Sequence, residues 1–354
     1  MIQSNDMWRT RLRAALAIAA LLGLAQAGPA FAQATAQQVA QQYPKDAKLI
    51  AAAKAEGSMV MYGSSSVVAL KANADSFEKT YGIPVKFTQT ASAPQTARVD
   101  QEIKSGRIVP DVIISADRPS LYRWAADGQL AKLPDMKFPG QSDYIVAIQS
   151  IYQGVLVNTD LVSKQDMPKK WSDLLNPKYS GKIVIGSPRV GTAYAMLYLA
   201  MLTDPNYGEA FFEKLAAQRT RVVRNNPMVA QLTASGEAAL GFNGIPYDAN
   251  NILATNPKAP ITYIYLDIVC QANTYMVLNG KAQRPNIAKL FASWMMSPAG
   301  QMVNNGDGRA SSPLGNLPGT LTAPDRKMVR ADITIERSSA EYQKTIDTLE
   351  RIFK

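Results

Sequence analysis

The chain has 354 residues, 47% hydrophobic and 19% charged, with 22 Gly and 21 Pro, a composition that fills folded lobes rather than a disordered chain. Lys and Arg number 38 against 28 Asp and Glu, a formal net charge of +10, and there is no histidine. That absence excludes Ser-His-Asp and Cys-His catalysis and HExxH zinc sites, and a single cysteine, Cys270, rules out an intramolecular disulfide, a CxxC redox pair and a thiolate-rich metal site.

Arg9, Arg11 and Arg13 precede an apolar run from Ala14 to Ala25, followed by Pro29 and the small-residue triplet Ala30-Phe31-Ala32. Charged, apolar and small-residue regions in that order predict a secretory signal over residues 1–32, since the apolar run falls short of the roughly 20 residues that span a bilayer. Cleavage after Ala32 leaves a net charge of +8, and the longest later apolar stretch, Ala193 to Leu202, is also too short to span.

Gln33 to Gln42 reads as a loose polar arm leading to a helix near Asp46 to Ala55. From Ser58 the chain alternates strand, loop and helix. Ser58–Tyr62 is a buried strand; Val67, Leu70, Ala74, Phe77 and Tyr81 form the stripe of a helix; Val85–Thr88 is a second strand. A helix over Gln95–Ser105, a strand at Val112–Ile114 and a helix around Leu121 and Trp124 ended by Gly128 follow. Tyr144–Val157 is extended chain into a second unit, with strands at Lys182–Ile185 and Leu240–Asn243 and helices at Gly191–Leu202 and Gly208–Ala217. Further strands are expected at Ile261–Tyr265 and Thr274–Leu278. Pro285 opens an amphipathic helix, and a capping box of Ser338 with Glu341 starts a last one striped by Tyr342, Ile346, Leu349 and Phe353. The rhythm predicts an α/β fold with mainly parallel sheets flanked by helices.

In such sheets ligands sit beyond the carboxyl ends of the strands, at helix starts. Four loops there are rich in small hydroxyl residues: Ser64-Ser65-Ser66, Thr90-Ala91-Ser92, Ser115-Ala116-Asp117 and Ser187-Pro188-Arg189-Val190-Gly191-Thr192. Free N–H groups at a helix start, hydroxyls and a guanidinium suit a phosphate, phosphonate or carboxylate. Ser and Thr before a helix also serve as plain N-caps, so any one loop alone favours the structural reading. Tyr247 follows a strand end and faces a cleft or packs; Cys270 reads as a small buried hydrophobe. The candidate binding residues are Ser64, Ser65, Ser66, Ser92, Ser115, Asp117, Arg189, Gly191, Thr192 and Tyr247, with no metal site and no cofactor. There is no GxxxxGK[ST] loop and no GxGxxG at a helix start, and the dispersed positive charge lacks the aromatic interleaving of a nucleic-acid binder.

Several landmarks then carry a resemblance: Glu56-Gly57; Pro110-Asp111-Val112-Ile113-Ile114-Ser115; Gly154-Val155-Leu156-Val157-Asn158-Thr159; Trp171-Ser172-Asp173-Leu174-Leu175 with Pro177, Tyr179, Gly181 and Lys182; and Ala288-Lys289-Leu290-Phe291 running into Ser297-Pro298-Ala299-Gly300-Gln301. In this order and spacing the chain resembles the bacterial extracellular solute-binding proteins of ABC importers, in the ferric-iron or family 1 branch. The resemblance implies a two-lobe, type II periplasmic-binding fold joined by crossover strands near Ser150 and Asn273. On that reading lobe 1 comprises 33–150 plus about 273–300, lobe 2 comprises 151–272, and 301–354 is a C-terminal helical segment packing across the lobes. It implies no chemistry but capture: a periplasmic monomer that closes on a small anion and delivers it to a membrane permease and its ATPase, with no nucleic-acid partner. Members of the branch that bind iron directly use two adjacent tyrosines, whereas this chain has Pro246-Tyr247-Asp248, so the sequence favours an organic anion over ferric iron. Two further readings stay open at this point: a sensory receptor in place of the permease, and an exported hydrolase using a carboxylate pair.

Overall fold

The computed structural model describes residues 35–190, 192–324, 327–330 and 340–354. The expected signal over 1–32 and the capping box of Ser338 with Glu341 lie outside the described residues.

The stretch expected to be a loose arm holds a short helix, α1 (Ala36–Ala40). Its start is a reciprocal capping box: Gln38 N donates to Thr35 Oγ1 and Thr35 N donates to Gln38 Oε1, which satisfies two orphan donors in a segment whose sequence has no apolar stripe. Next come α2 (Ala47–Ala55), capped by Asp46, then β1 (Met59–Gly63), α3 (Val67–Tyr81), β2 (Val85–Gln89), α4 (Ser92–Lys104), β3 (Val112–Ser115) and α5 (Arg118–Ala126). Leu70, Ala74, Phe77 and Tyr81 turn inward on α3, but Val67, expected on the same stripe, is exposed at the first position of the helix, where burial begins only at Ala69. After the two-residue β4 (Leu130–Ala131) runs the long strand β5 (Val146–Asn158).

The second half holds β6 (Ile183–Gly186), α6 (Thr192–Thr203), α7 (Gly208–Ala217), β7 (Arg221–Val223), α8 (Asn226–Ala234), β8 (Leu240–Gly244), α9 (Pro246–Thr255) and β9 (Ile261–Ile264). Neither α8 nor α9 was expected from the sequence. Each starts on backbone signals rather than a stripe: Asn225 accepts from Met228 N and Pro227 follows at the second helical position of α8, and Pro246 opens α9. The chain returns through a second long strand, β10 (Ile268–Asn279), then α10 (Pro285–Met295), α11 (Pro298–Asn305), β11 (Lys327–Arg330) and α12 (Ala340–Ile352).

The strands order as β2-β1-β3-β10-β5-β8-β6-β7, with β4 and β11 also on β10 and β9 on β5. β1 runs parallel to β2 and β3, and β6 runs parallel to β7 and β8. Between these parallel sets lie the antiparallel β5 and β10, whose pairing sets Ser150 opposite Asn273. At that point Ser150 Oγ donates to Asn273 Oδ1 at 2.9 Å, Gln271 Nε2 donates to both, and Ser150 exchanges backbone hydrogen bonds with Ser311. Along β5, pairing passes from β10 to β8 and β9 at a register shift beside Gly154.

Each parallel set has packed side chains on both faces. Met61, Phe77, Phe291 and Trp294 fill one face of the first, and Tyr62, Ile113, Leu121 and Trp124 the other. In the second, Trp171, Tyr198, Phe212 and Phe242 lie on one side, Leu156, Val184, Val229 and Ala249 on the other. Two of the sequence landmarks have structural work. Glu56 accepts from the N–H groups of Asn286 and Ile287, capping α10, whose own N-cap position carries no side-chain cap. Asp111, buried, accepts from Val60 N at 2.8 Å and from Arg284 Nε at 2.9 Å. Gly154 is required by close approach, since a β-carbon there would collide with the Ile264 carbonyl across the ladder. Gly154→Ala is therefore expected to destabilise the protein by about 1–3 kcal/mol through overpacking, read as a lower melting temperature.

Candidate functional site

The loops after β1, β2 and β3 reach one wall of a cavity of about 360 Å³ lined by Ser64, Ser65, Ser66, Ala91, Ser92 and Ala116. Gln149, Ile151 and Gln153 of β5 and Ala272 and Thr274 of β10 form its floor. Pro227, Ile245, Tyr247 and Asp248, at the starts of α8 and α9, form the facing wall, and Arg309 borders it.

Of the residues singled out by sequence, Ser64, Ser65, Ser66, Ser92 and Tyr247 come together here. Two also hold the backbone: Ser64 Oγ accepts from Ala116 N at 3.1 Å, and Ser66 is the N-cap of α3, accepting from Ala69 N at 3.2 Å. The hydroxyls of Ser65, Ser92 and Tyr247 have no hydrogen-bond partner among the described residues. The start of α4 has no side-chain cap, because its N-cap position is Ala91.

The other candidates lie elsewhere. Ser115 is fully buried, its Oγ accepting from Asp117 N at 3.2 Å, and Asp117 accepts from Thr96 Oγ1 and Ser120 Oγ; the pair organises the β3–α5 corner and does not line the cavity. Arg189 faces the C-terminal helix, where its guanidinium donates to Glu350 with Asp347 within 4.0 Å. Acidic residues on α12 pair with that cation, and Ser187, Pro188 and Arg189 are not among the described lining residues. Gly191 lies outside the described residues, and Thr192 is the first residue of α6.

Sequence reasoning missed Asp248 and Arg309. Asp248 stands beside Tyr247, 8% exposed; its Oδ2 is buried without a hydrogen-bond partner among the described residues, and burial pushes its carboxyl up to about 7. Arg309 follows a turn at Asp307-Gly308, is 6% exposed, and donates through Nε to Asn304 O and through Nη1 to Asp307 Oδ2 at 2.9 Å. Nothing in the local sequence distinguishes it from a surface arginine. Cys270 lies in the core away from the cavity, its thiol pushed up to about 12 by burial.

The electrostatics are asymmetric. Four helices begin at the cavity, and the positive ends of their dipoles favour negative charge. Free donors concentrate on the serine wall, because Pro227 and Pro246 remove N–H groups from the facing one. Among the described residues, the only charged side chains lining the cavity are Arg309 and Asp248.

Residues 63–302 match the family model of the bacterial extracellular solute-binding proteins. An uncharacterised protein of Haemophilus influenzae is 26% identical over 282 residues, covering 70% of this chain and 75% of that one. Iron-bound HitA of Pseudomonas aeruginosa superposes with a TM-score of 0.64 at 18% identity, over 84% of this chain and 99% of that one. AfuA of Actinobacillus pleuropneumoniae, solved with exogenous fructose-6-phosphate bound, superposes with a TM-score of 0.58 at 22% identity, over 84% and 96% of the two chains. These structures share the two-lobe α/β periplasmic-binding fold, in agreement with the expectation from sequence. Among the described residues no helix is long and apolar enough to cross a membrane.

Proposed function

The chain belongs to the bacterial extracellular solute-binding proteins, the substrate-binding components of ABC transporters, and from that premise we propose that its cleft captures a small organic anion for delivery to the permease and ATPase. The observation that carries this reading is the serine wall: hydroxyls of Ser65 and Ser92 without partners among the described residues, beside the starts of α3 and α4, in a cavity that Arg309 also lines. A phosphate ester, phosphonate or carboxylate satisfies those donors.

The lobes of this reading are 33–150 with about 273–300, and 151–272. The crossing of β5 and β10 at Ser150 and Asn273 then acts as the hinge about which the walls close. The protein works in the periplasm. HitA argues for ferric iron as a second reading, and Tyr247 with Asp248 offers two oxygen ligands; hard ferric iron asks for more anionic oxygens than the lining provides. AfuA argues for a phosphorylated ligand.

A thermal-shift screen of the purified, ligand-stripped protein tests the proposal. A ligand at a hundred times its dissociation constant adds about 2.7 kcal/mol, enough to move the transition visibly. At least one phosphate ester, phosphonate or carboxylate is expected to raise the melting temperature, while ferric salts and spermidine leave it unmoved. A shift with ferric salts or spermidine alone overturns the anion reading.

A further inference from the structure

We infer, resting on the anion reading above, that the cleft is two-ended: the serine wall seats the ligand's acid group, and Asp248 on the facing wall recognises a hydroxyl at the other end, so that the substrate class is a hydroxylated acid. The starting observation is a buried polar group with nothing to bond. Asp248 lines the cavity, is more than nine-tenths buried, and its Oδ2 has no hydrogen-bond partner among the described residues. A carboxyl in that state costs free energy that a structural role would have removed by a local partner. One is not supplied by its own helix: the N-cap position of α9 is Ile245, which has no side-chain oxygen or donor, and Asp248 contributes only its N–H, to Ile245 O at 3.2 Å. No described residue satisfies it, and a donor that enters the cavity can, which a ligand hydroxyl does in place of water.

The kind of donor follows from the surrounding charge. An ammonium would meet Arg309 and four positive helix ends, the same field that attracts the acid group. A hydroxyl carries no such penalty. It donates to the carboxyl in either protonation state, and can also accept when Asp248 holds its proton. The floor favours it further, since Thr274 Oγ1 and Gln149, hydrogen-bonded to one another at 3.2 Å, are neutral groups that match additional hydroxyls. Tyr247, next to Asp248, adds a phenol with no protein partner among the described residues.

Titration calorimetry on the ligand-stripped protein with matched probes tests the inference: inorganic phosphate, n-propyl phosphate, O-phosphoethanolamine, glycerol 3-phosphate and glucose 6-phosphate, with hexanoate and gluconate as the carboxylate pair. At least one hydroxylated probe is expected to bind ten-fold or more tightly than its counterpart without hydroxyls, and more tightly than O-phosphoethanolamine. Asp248→Ala is expected to remove that advantage while leaving n-propyl phosphate within two-fold. The wild-type ratio decides even if the variant fails to fold. Equal binding of the matched probes, tighter binding of O-phosphoethanolamine, or an equal loss for every probe in Asp248→Ala overturns the hydroxyl end and leaves the anion reading intact. Failure of every acid probe overturns the anion reading itself.

Discussion

Asp248→Asn is expected to stabilise the ligand-free protein at pH 8 and to leave its stability at pH 4 nearly unchanged. The sign follows from proton linkage. In the unfolded chain the carboxyl ionises near its ordinary value of 3.8, whereas in the folded protein burial holds the proton until about pH 7. Between those values the folded state binds more protons than the unfolded state, so stability falls as pH rises, and the full penalty is present above pH 7. The rise from 3.8 to about 7 corresponds to a ceiling of about 4 kcal/mol. Asparagine is neutral throughout and removes the slope. Melting temperatures of the two proteins compared from pH 4 to pH 8 should therefore diverge upward in pH, with the variant the more stable. Parallel curves would show that the Asp248 carboxyl is not held in this strained state. A substitution that strengthens the empty protein marks a residue kept for what it binds, since selection for stability alone would not retain it.

Much of the scaffold was legible from sequence because its signals are local. Buried strands such as β1 and β3 read as short apolar runs, and α3 and α10 carry stripes that must face a sheet. Ser64, Ser65, Ser66 and Ser92 were readable as site candidates for a related reason: hydroxyls between a strand end and a helix start lie at the sheet's carboxyl edge, although of the four only Ser66 caps its helix. What escaped is set by distance along the chain. Arg309 reaches the cavity from a turn more than two hundred residues beyond Ser66, and its guanidinium is fixed by carbonyls of α11 that no local pattern announces. Arg189 is the converse. Its loop has the composition of an anion site, but Glu350 on α12 pairs with it, and that contact depends on how the last helix docks. Asp248 was passed over beside Tyr247 because an acid at a helix start ordinarily serves the helix dipole, and only the packing shows that its carboxyl is enclosed and unbonded.

Arg309→Ala is expected to cost about 3 kcal/mol of stability and also to weaken anion binding, and the two losses have separable origins. The side chain is enclosed, donating through Nε to Asn304 O, through Nη2 to Val303 O and through Nη1 to Asp307 Oδ2. Val303 and Asn304 belong to the last turn of α11, which contains no basic residue of its own, so the guanidinium satisfies carbonyls at the negative end of that helix. Truncation leaves those carbonyls and Asp307 without the charged donor, and charged hydrogen bonds of this kind contribute about 1.5–3 kcal/mol each before the chain relaxes. Because the same guanidinium borders the cavity, its removal also takes away the cation of the described lining. Arg309→Lys separates the two roles. It keeps the charge but lacks the planar fork that spans two carbonyls and a carboxylate at once, so melting temperature should fall part of the way while anion affinity, measured by calorimetry, stays closer to wild type than in Arg309→Ala. An Arg309→Ala protein that melts with wild type would refute the capping role. Unchanged anion affinity in that variant would remove Arg309 from the binding seat and leave the serine wall and its helix starts as the source of attraction.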